Sequence, residues 1–396
     1  MPVAPKILIA GLESWPGVAR LPHALQDAGF EVGVVCFEDS CLAATRFRSR
    51  YFPWRPGCRR GGALLRRLKT IVDEWQPDFL VPADDPTVVF LARAFERLGS
   101  TDRLTSLLKF SLGNPAALLE AESKHGTFER AQRCGIRVPR TRAVASEAEM
   151  LVFAREIGFP FLLKQSFGWA GGGVAICRNE SEATTIWKNW HRRPVWKRRF
   201  YAWRNCVRGR ELSASWLPVD RLILASQFIF GKPAMCLLTA FEGRALAGLT
   251  ASKEKSYPDD KGPSSVVRLL RHPEMRLAAE TLTGVWGLSG FIGFDFILDS
   301  RGDAWLIECN PRPTPISHLG GRVGEDICMA LHRQLAGLPS LPMQQKGTLV
   351  IAHFPYEALR DPASSYLTSA IHDVPWDDPG LLRRLSQVHN IPLPIK

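Results

Sequence analysis

The chain has 396 residues, 45% of them hydrophobic and 23% charged, and a formal net charge of +12. That length exceeds one compact core and implies two or three domains, while the ordinary globular balance excludes wholesale disorder. No stretch approaches the ~18 apolar residues of a membrane span, so no membrane partner is expected. The opening apolar run, Ile7 to Ala10, lacks a basic flank and a small-residue cleavage site, and is expected to be a first strand rather than a secretory leader. Nine cysteines stand singly, without CxxC pairs or histidines at zinc spacing, which reads as reduced thiols of a cytoplasmic protein. The excess positive charge is densest from Lys197, Arg198 and Arg199 to Arg208 and Arg210, with a second basic region from Arg46 to Arg67. No nucleic-acid module accompanies either, so a solvated basic surface that attracts small anions is expected, not a nucleic-acid partner.

In chain order, PKILIAG, the helical spacing of Val18, Leu21, Ala24 and Leu25, and EVGVVCF predict strand, helix, strand over residues 5–36. A helix in GALLRRLKTIVDEWQ, a strand in PDFLVPADD and a helix opened by Pro86 follow. This alternation predicts a parallel α/β sheet up to about residue 113. Gly11 begins no GxGxxG, so a dinucleotide site is unsupported. Asp84 and Asp85, at the end of a strand, have two readings: they face a ligand cleft, or they cap the next helix. The middle of the chain predicts one helix from ALLEAESKHGTFERAQRCG, then a capped helix at Ser146, a strand in FPFLLKQS, a glycine-rich loop, the strand GVAICR and a helix in SEATTIWKNW. From residue 222, LILASQFIFG, AMCLLTAFEG, RALAGLTAS and SVVRLL predict antiparallel strands. A helix in MRLAAETLTGVWG precedes a hairpin over FIGFDFILDSRGDAWLIECN, and residues from about 338 read as a small tail.

That hairpin carries chemistry. With a tight turn at Arg301-Gly302 and Ser300 opposite Asp303, Asp295 falls opposite Glu308. Strand alternation puts Asn310 on the face of Glu308 and turns Cys309 into the core. Two converging carboxylates repel unless a cation joins them, and an oxygen-only set with few protein ligands suits Mg²⁺; Mn²⁺ can take the same place. Arg312, two residues on, offers a fixed fork for phosphate or carboxylate oxygens. Upstream, Lys164 precedes a loop with Gly168, Gly171, Gly172 and Gly173. Such glycines let backbone amides cradle a phosphate, and equally allow a plain tight turn.

Taken in order, Lys124 in ESKHGTFERAQRCG, Lys164 with its glycine loop, Gln227 in ASQFIFG, and then Asp295, Glu308 and Asn310-Pro311-Arg312 resemble the ATP-grasp superfamily over about residues 114–335. The resemblance implies an ATP-grasp fold, mixed α/β and α+β, behind a parallel α/β domain at 1–113. Its lobes would be 114–221 and 222–337, with an extension at 338–396. It implies that Lys124, Lys164 and the glycine loop meet the phosphates of ATP, and that Gln227, Phe228 and Ile229 meet its adenine. Asp295, Glu308 and Asn310 would hold Mg²⁺, and Arg312 with Lys164 would serve catalysis. The implied activity is ligation in the manner of carbamoyl-phosphate-synthase-like enzymes: a small carboxylate becomes an acyl phosphate and passes to an amine, releasing ADP and phosphate. A phosphotransferase and a nucleotide-binding protein without turnover are the alternatives, and a homodimer is compatible with it. The usual acidic residue just after the hinge glycine is missing, since Lys232, Pro233 and Ala234 follow Gly231; Glu211 after Gly209 marks a second candidate hinge. On the hinge reading at 227–231, residues 187–222 are a basic surface insertion. Either Lys253 or Lys255 would reach the phosphates, and His318 either borders the pocket or makes a structural hydrogen bond.

Overall fold

The computed structural model describes residues 4–54, 61–167, 173–192, 216, 222–259, 262–342 and 344–394. The N-terminal unit is a parallel sheet of β1 (Lys6–Ala10), β2 (Glu31–Cys36), β3 (Arg50–Pro53) and β4 (Phe79–Pro82), in the order β3-β2-β1-β4. A parallel sheet covered on both faces needs near-continuous apolar strands. Accordingly, Ile7, Leu8 and Ile9 are fully buried, with Ile7 pairing to both Val32 and Phe79. After β4 the two aspartates part company. Asp84 caps the helix Asp85–Phe95 through Thr87, and its Oδ2 also accepts from the backbone of Leu12 and Glu13. Asp85 is left to face the cavity described below.

The predicted helix over 117–135 is two helices, Leu118–Glu122 and Lys124–Arg133, separated by Ser123 in extended conformation. Ser123 caps the second helix and bonds to the Ser166 hydroxyl at 2.8 Å, and Lys124 N donates to Ser166 O. The break therefore sets Lys124 beside the end of the strand that bears Lys164. That strand is β6 (Phe161–Gln165) in an antiparallel sheet with β5 (Thr141–Val144), β7 (Val174–Cys177) and β8 (Ile223–Gln227), ordered β5-β8-β6-β7. The helices Glu147–Ile157 and Glu180–Arg192 pack on it through Met150, Phe153 and Trp187. Ser146 caps the first of these, and Glu149 reaches back to Ala145 N. β8 belongs to this sheet, beyond the 221/222 boundary expected from sequence.

The largest sheet has seven strands: β9 (Lys232–Phe241), β10 (Arg244–Ser256), β11 (Ser264–Leu269), β12 (Gly290–Leu298), β13 (Ala304–Asn310), β14 (Leu349–His353) and β15 (Ile371–Asp373). Their order is β13-β12-β9-β10-β11-β14-β15. The helix Pro273–Trp286 buries Met275, Leu282 and Trp286. The segment read as a tail supplies β14 and β15, and β14 pairs antiparallel to β11 with Val267 opposite Ile351. Of the basic insertion, Lys197, Arg198, Arg199, Arg208 and Arg210 lie outside the described residues, as does the alternative hinge at Gly209 and Glu211. Trp216 is described, and it is no surface residue: it is buried 5.4 Å from the Phe90 ring. Among the described residues, no helix is long and apolar enough to cross a membrane.

Candidate active site

A cavity of about 840 Å³ is lined from the sheet that bears Lys164, from the seven-stranded sheet and from Asp85 of the N-terminal unit. The β12–β13 hairpin forms its acidic wall. Its turn is longer than the sequence suggests: Asp299 pairs with Asp303 around Gly302, whose φ of +85° favours glycine. The strands leave this turn with Leu298 opposite Ala304 and Phe296 opposite Leu306. A bulge at Ile307 then restores the register, and Asp295 does face Glu308. The same bulge turns both Ile307 and Glu308 to the cavity. Cys309 packs in the core at 3% exposure, and burial pushes its thiol well above the ordinary value.

Electrostatics splits the two acids. Burial raises Asp295; the Lys253 charge opposes this, but the Glu308 carboxylate adds to it, and Asp295 ends above the usual range. Burial would raise Glu308 too, yet Lys124 overrides it, with Nζ 2.9 Å from Glu308 Oε2, and Glu308 lies below. Asn310 donates to Asp295 Oδ2 at 3.1 Å and gives its amide oxygen to Arg312. Among the described residues, no group of three His, Cys, Asp or Glu side chains converges as a protein-only metal site. Two carboxylates that crowd each other beside one amide fit instead a hard cation that keeps oxygens from water or a ligand, and a half-turn of Asn310 would add its oxygen.

Lys124 and Lys164 meet at this wall. Lys164 is 2% exposed, its Nζ has no hydrogen-bond partner among the described residues, and it lies 5.1 Å from the centre of the Phe128 ring. Burial, with the charge of Lys124, lowers it from 10.5 to about 8. The Glu308 carboxylate only partly offsets this, and a buried amine that makes no hydrogen bond is costly, so this geometry suits an anion. Gly173, with φ +110°, leads into β7 and lines the cavity; Gly168, Gly171 and Gly172 lie outside the described residues.

Across the cavity, β8 ends at Gln227, whose side-chain oxygen accepts from Arg140 N at 3.3 Å. Phe228, Ile229 and Phe230 leave the sheet and line the cavity before β9 begins. At Gly231 a Cβ would lie 2.2 Å from Leu298 O, so only glycine fits there. A second bulge, at Glu254 in β10, brings Lys253, Glu254 and Lys255 all to the cavity. Lys253 is the lysine whose charge acts on Asp295. Glu254 was missed in the sequence because two lysines flank it and strand alternation cannot reveal a bulge. Its Oε1 accepts from Lys232 at 2.7 Å, Arg268 at 2.8 Å and Ser252 at 3.1 Å. His318 lies away from the cavity wall, 2.7 Å from Asp373 Oδ2, in a buried cluster with Arg20. The structural reading of that histidine is the one observed.

The family model described as an ATP-grasp domain matches residues 121–315. These residues form an ATP-grasp domain. The carbamoyl phosphate synthase large chain of Thermus thermophilus is 34% identical over 124 residues, covering 31% of this chain and 12% of that one. Its counterpart in Thermotoga petrophila is 31% identical over 165 residues, 41% of this chain and 14% of that one. The chain thus spans about an eighth of the length of these curated relatives. Among solved structures, the biotin carboxylase of Campylobacter jejuni, in complex with an ATP analogue, has a TM-score of 0.62 at 16% identity. That match covers 87% of this chain and 74% of that one. The L-amino acid ligase of Bacillus licheniformis gives 0.57 at 15%, over 88% and 79%. At such identities the likeness is one of fold: an ATP-grasp domain behind a parallel α/β unit.

Proposed function

We propose that the chain is an ATP-dependent ligase that activates a small carboxylate as an acyl phosphate and transfers it to an amine. The observation that carries this reading is the buried, unpartnered Lys164 amine beside Lys124 and the Asp295–Glu308 pair in one cavity. Lys164 and Lys124 bind the terminal phosphates of ATP, and Gly173 lines the cavity beside them. The backbone of Phe228 and Ile229, with Gln227, meets the adenine, and the Glu254 carboxylate accepts from the sugar hydroxyls. Asp295, Glu308 and the turned Asn310 hold Mg²⁺, which offsets charge on the phosphates. A carboxylate oxygen of the substrate bonds to the γ-phosphorus as the bond to ADP breaks. The amine then attacks the acyl carbon, and inorganic phosphate leaves. Arg312 steadies the transferred group.

The reading is tested by calorimetric titration with Mg-AMP-PNP, and by screening pools of small carboxylic acids and amines for release of phosphate from ATP. Binding at micromolar strength, with phosphate release that requires an acid, supports it. Absence of nucleotide binding refutes it.

A further inference from the structure

Arg312 is the cation proposed to steady the transferred group, yet its guanidinium is held by the N-terminal unit. Asp85 takes one edge of the fork: it accepts from Nε and, at 3.0 Å, from Nη2. Nη2 also donates to Asn310 Oδ1 at 3.2 Å, and Nη1 donates to Pro313 O at 3.3 Å. The Trp15 ring lies 4.9 Å from the guanidinium carbon. Trp15 comes from the loop after β1 and Asp85 from the turn after β4, both at the carboxyl end of the parallel sheet, where such sheets place ligand-binding groups. The Arg312 and Asp85 side chains are 13% and 12% exposed, so the pair is shielded enough for its geometry to be fixed. Five N–H groups less these four bonds leave one N–H, on Nη1, and the turn of Asn310 towards the cation frees a second, on Nη2, for a ligand.

We infer that Asp85 and Trp15 are positioning residues: the N-terminal unit completes the site by clasping Arg312 so that its uncommitted N–H groups are aimed at the transferred phosphoryl group. This assignment rests on the nucleotide reading above for its catalytic meaning, but the clasp itself does not. Two consequences follow from the geometry. Asp85 reaches Lys124 by charge alone, whereas it holds Arg312 by two hydrogen bonds, so its loss acts on turnover more than on nucleotide affinity. And because the hydrogen bonds of Asp85 described above go to Arg312, the two losses do not multiply.

The experiment has two arms. In the first, the Arg312 Nε–H resonance, assigned with Arg312→Lys, is followed by ¹⁵N NMR in the full chain. It is expected to be slow-exchanging in the wild type, absent in Asp85→Asn and shifted in Asp85→Glu. An unchanged resonance in both variants overturns the clasp. In the second, basal hydrolysis of Mg-ATP, with water as acceptor, is measured beside Mg-AMP-PNP affinity. Asp85→Asn should hydrolyse about tenfold more slowly or worse, since misplacing a reacting group by ~1 Å costs up to ~100-fold, with affinity changed by less. Asp85→Glu should recover part of the rate, and Asp85→Asn with Arg312→Lys should be no slower than Arg312→Lys alone. Wild-type rate in Asp85→Asn, or a double variant slower by the product of the single losses, overturns the assignment. If Asp85→Asn fails to fold, Asp85→Glu and Trp15→Leu decide by the same comparison of rate with affinity: a wild-type rate in both overturns the assignment. Should the wild type not bind Mg-AMP-PNP, the functional reading fails, and the NMR arm still decides the clasp.

Discussion

Replacing Lys164 with methionine is expected to stabilise the empty protein while weakening its hold on Mg-ATP. The amine sits at about 8 instead of 10.5 because burial and the neighbouring Lys124 disfavour its charge. That difference corresponds to roughly 3 kcal/mol at neutral pH. The folded value is the lower one, so between pH 8 and 10.5 the unfolded chain binds more protons at this site, and the wild type gains stability as pH rises. Below that window it bears the whole cost; above it, none. Methionine has a similar length, no charge, and a thioether suited to the Phe128 ring. Urea denaturation should therefore find Lys164→Met more stable at pH 7, by up to roughly 3 kcal/mol, with the advantage fading towards pH 10.5. Loss of a charge-assisted contact of about 1.5–3 kcal/mol should weaken Mg-AMP-PNP about ten- to a hundredfold by calorimetry. A variant less stable than wild type at pH 7, or an advantage that does not change with pH, would refute the reasoning.

Glu308→Ala should abolish the dependence of turnover on Mg²⁺ and most of the turnover itself, with circular dichroism unchanged; wild-type turnover removes Glu308 from the cation site. Glu254→Gln should reduce the preference for ATP over 2′-deoxy-ATP, and an unchanged ratio of their kcat/KM values excludes the sugar contact. Cys309→Ala should keep its turnover and lose about 1 kcal/mol of stability, as expected for a small core truncation. A collapse of turnover with the fold intact would contradict its placement in the core.

The local signals of the fold were legible. Apolar β1, the Ser146 cap and the hairpin strands all follow from patterning that a few residues determine. The pairing of Asp295 with Glu308 was reached with a turn one residue too short, and the bulge at Ile307 compensates for it. Bulges leave no periodic trace, and for that reason Glu254 stayed hidden between Lys253 and Lys255. Contacts made across long stretches of chain were equally silent. Neither the addition of β14 to β11 nor the grip of Asp85 on Arg312 has a local cause that the sequence displays. Asp84 and Asp85 illustrate the limit best: adjacent carboxylates with the same chemistry, one spent on a helix cap and the other turned to the cavity.

The central claim concerns where ATP is cut. Incubating the protein with Mg-ATP, a pool of small carboxylic acids and hydroxylamine in place of the amine measures it directly. Hydroxylamine traps both acyl phosphates and acyl adenylates as hydroxamates, so the nucleotide product decides between them. The account predicts a hydroxamate that accumulates in step with ADP and phosphate, and is absent with Glu308→Ala. AMP and pyrophosphate in their place would contradict it.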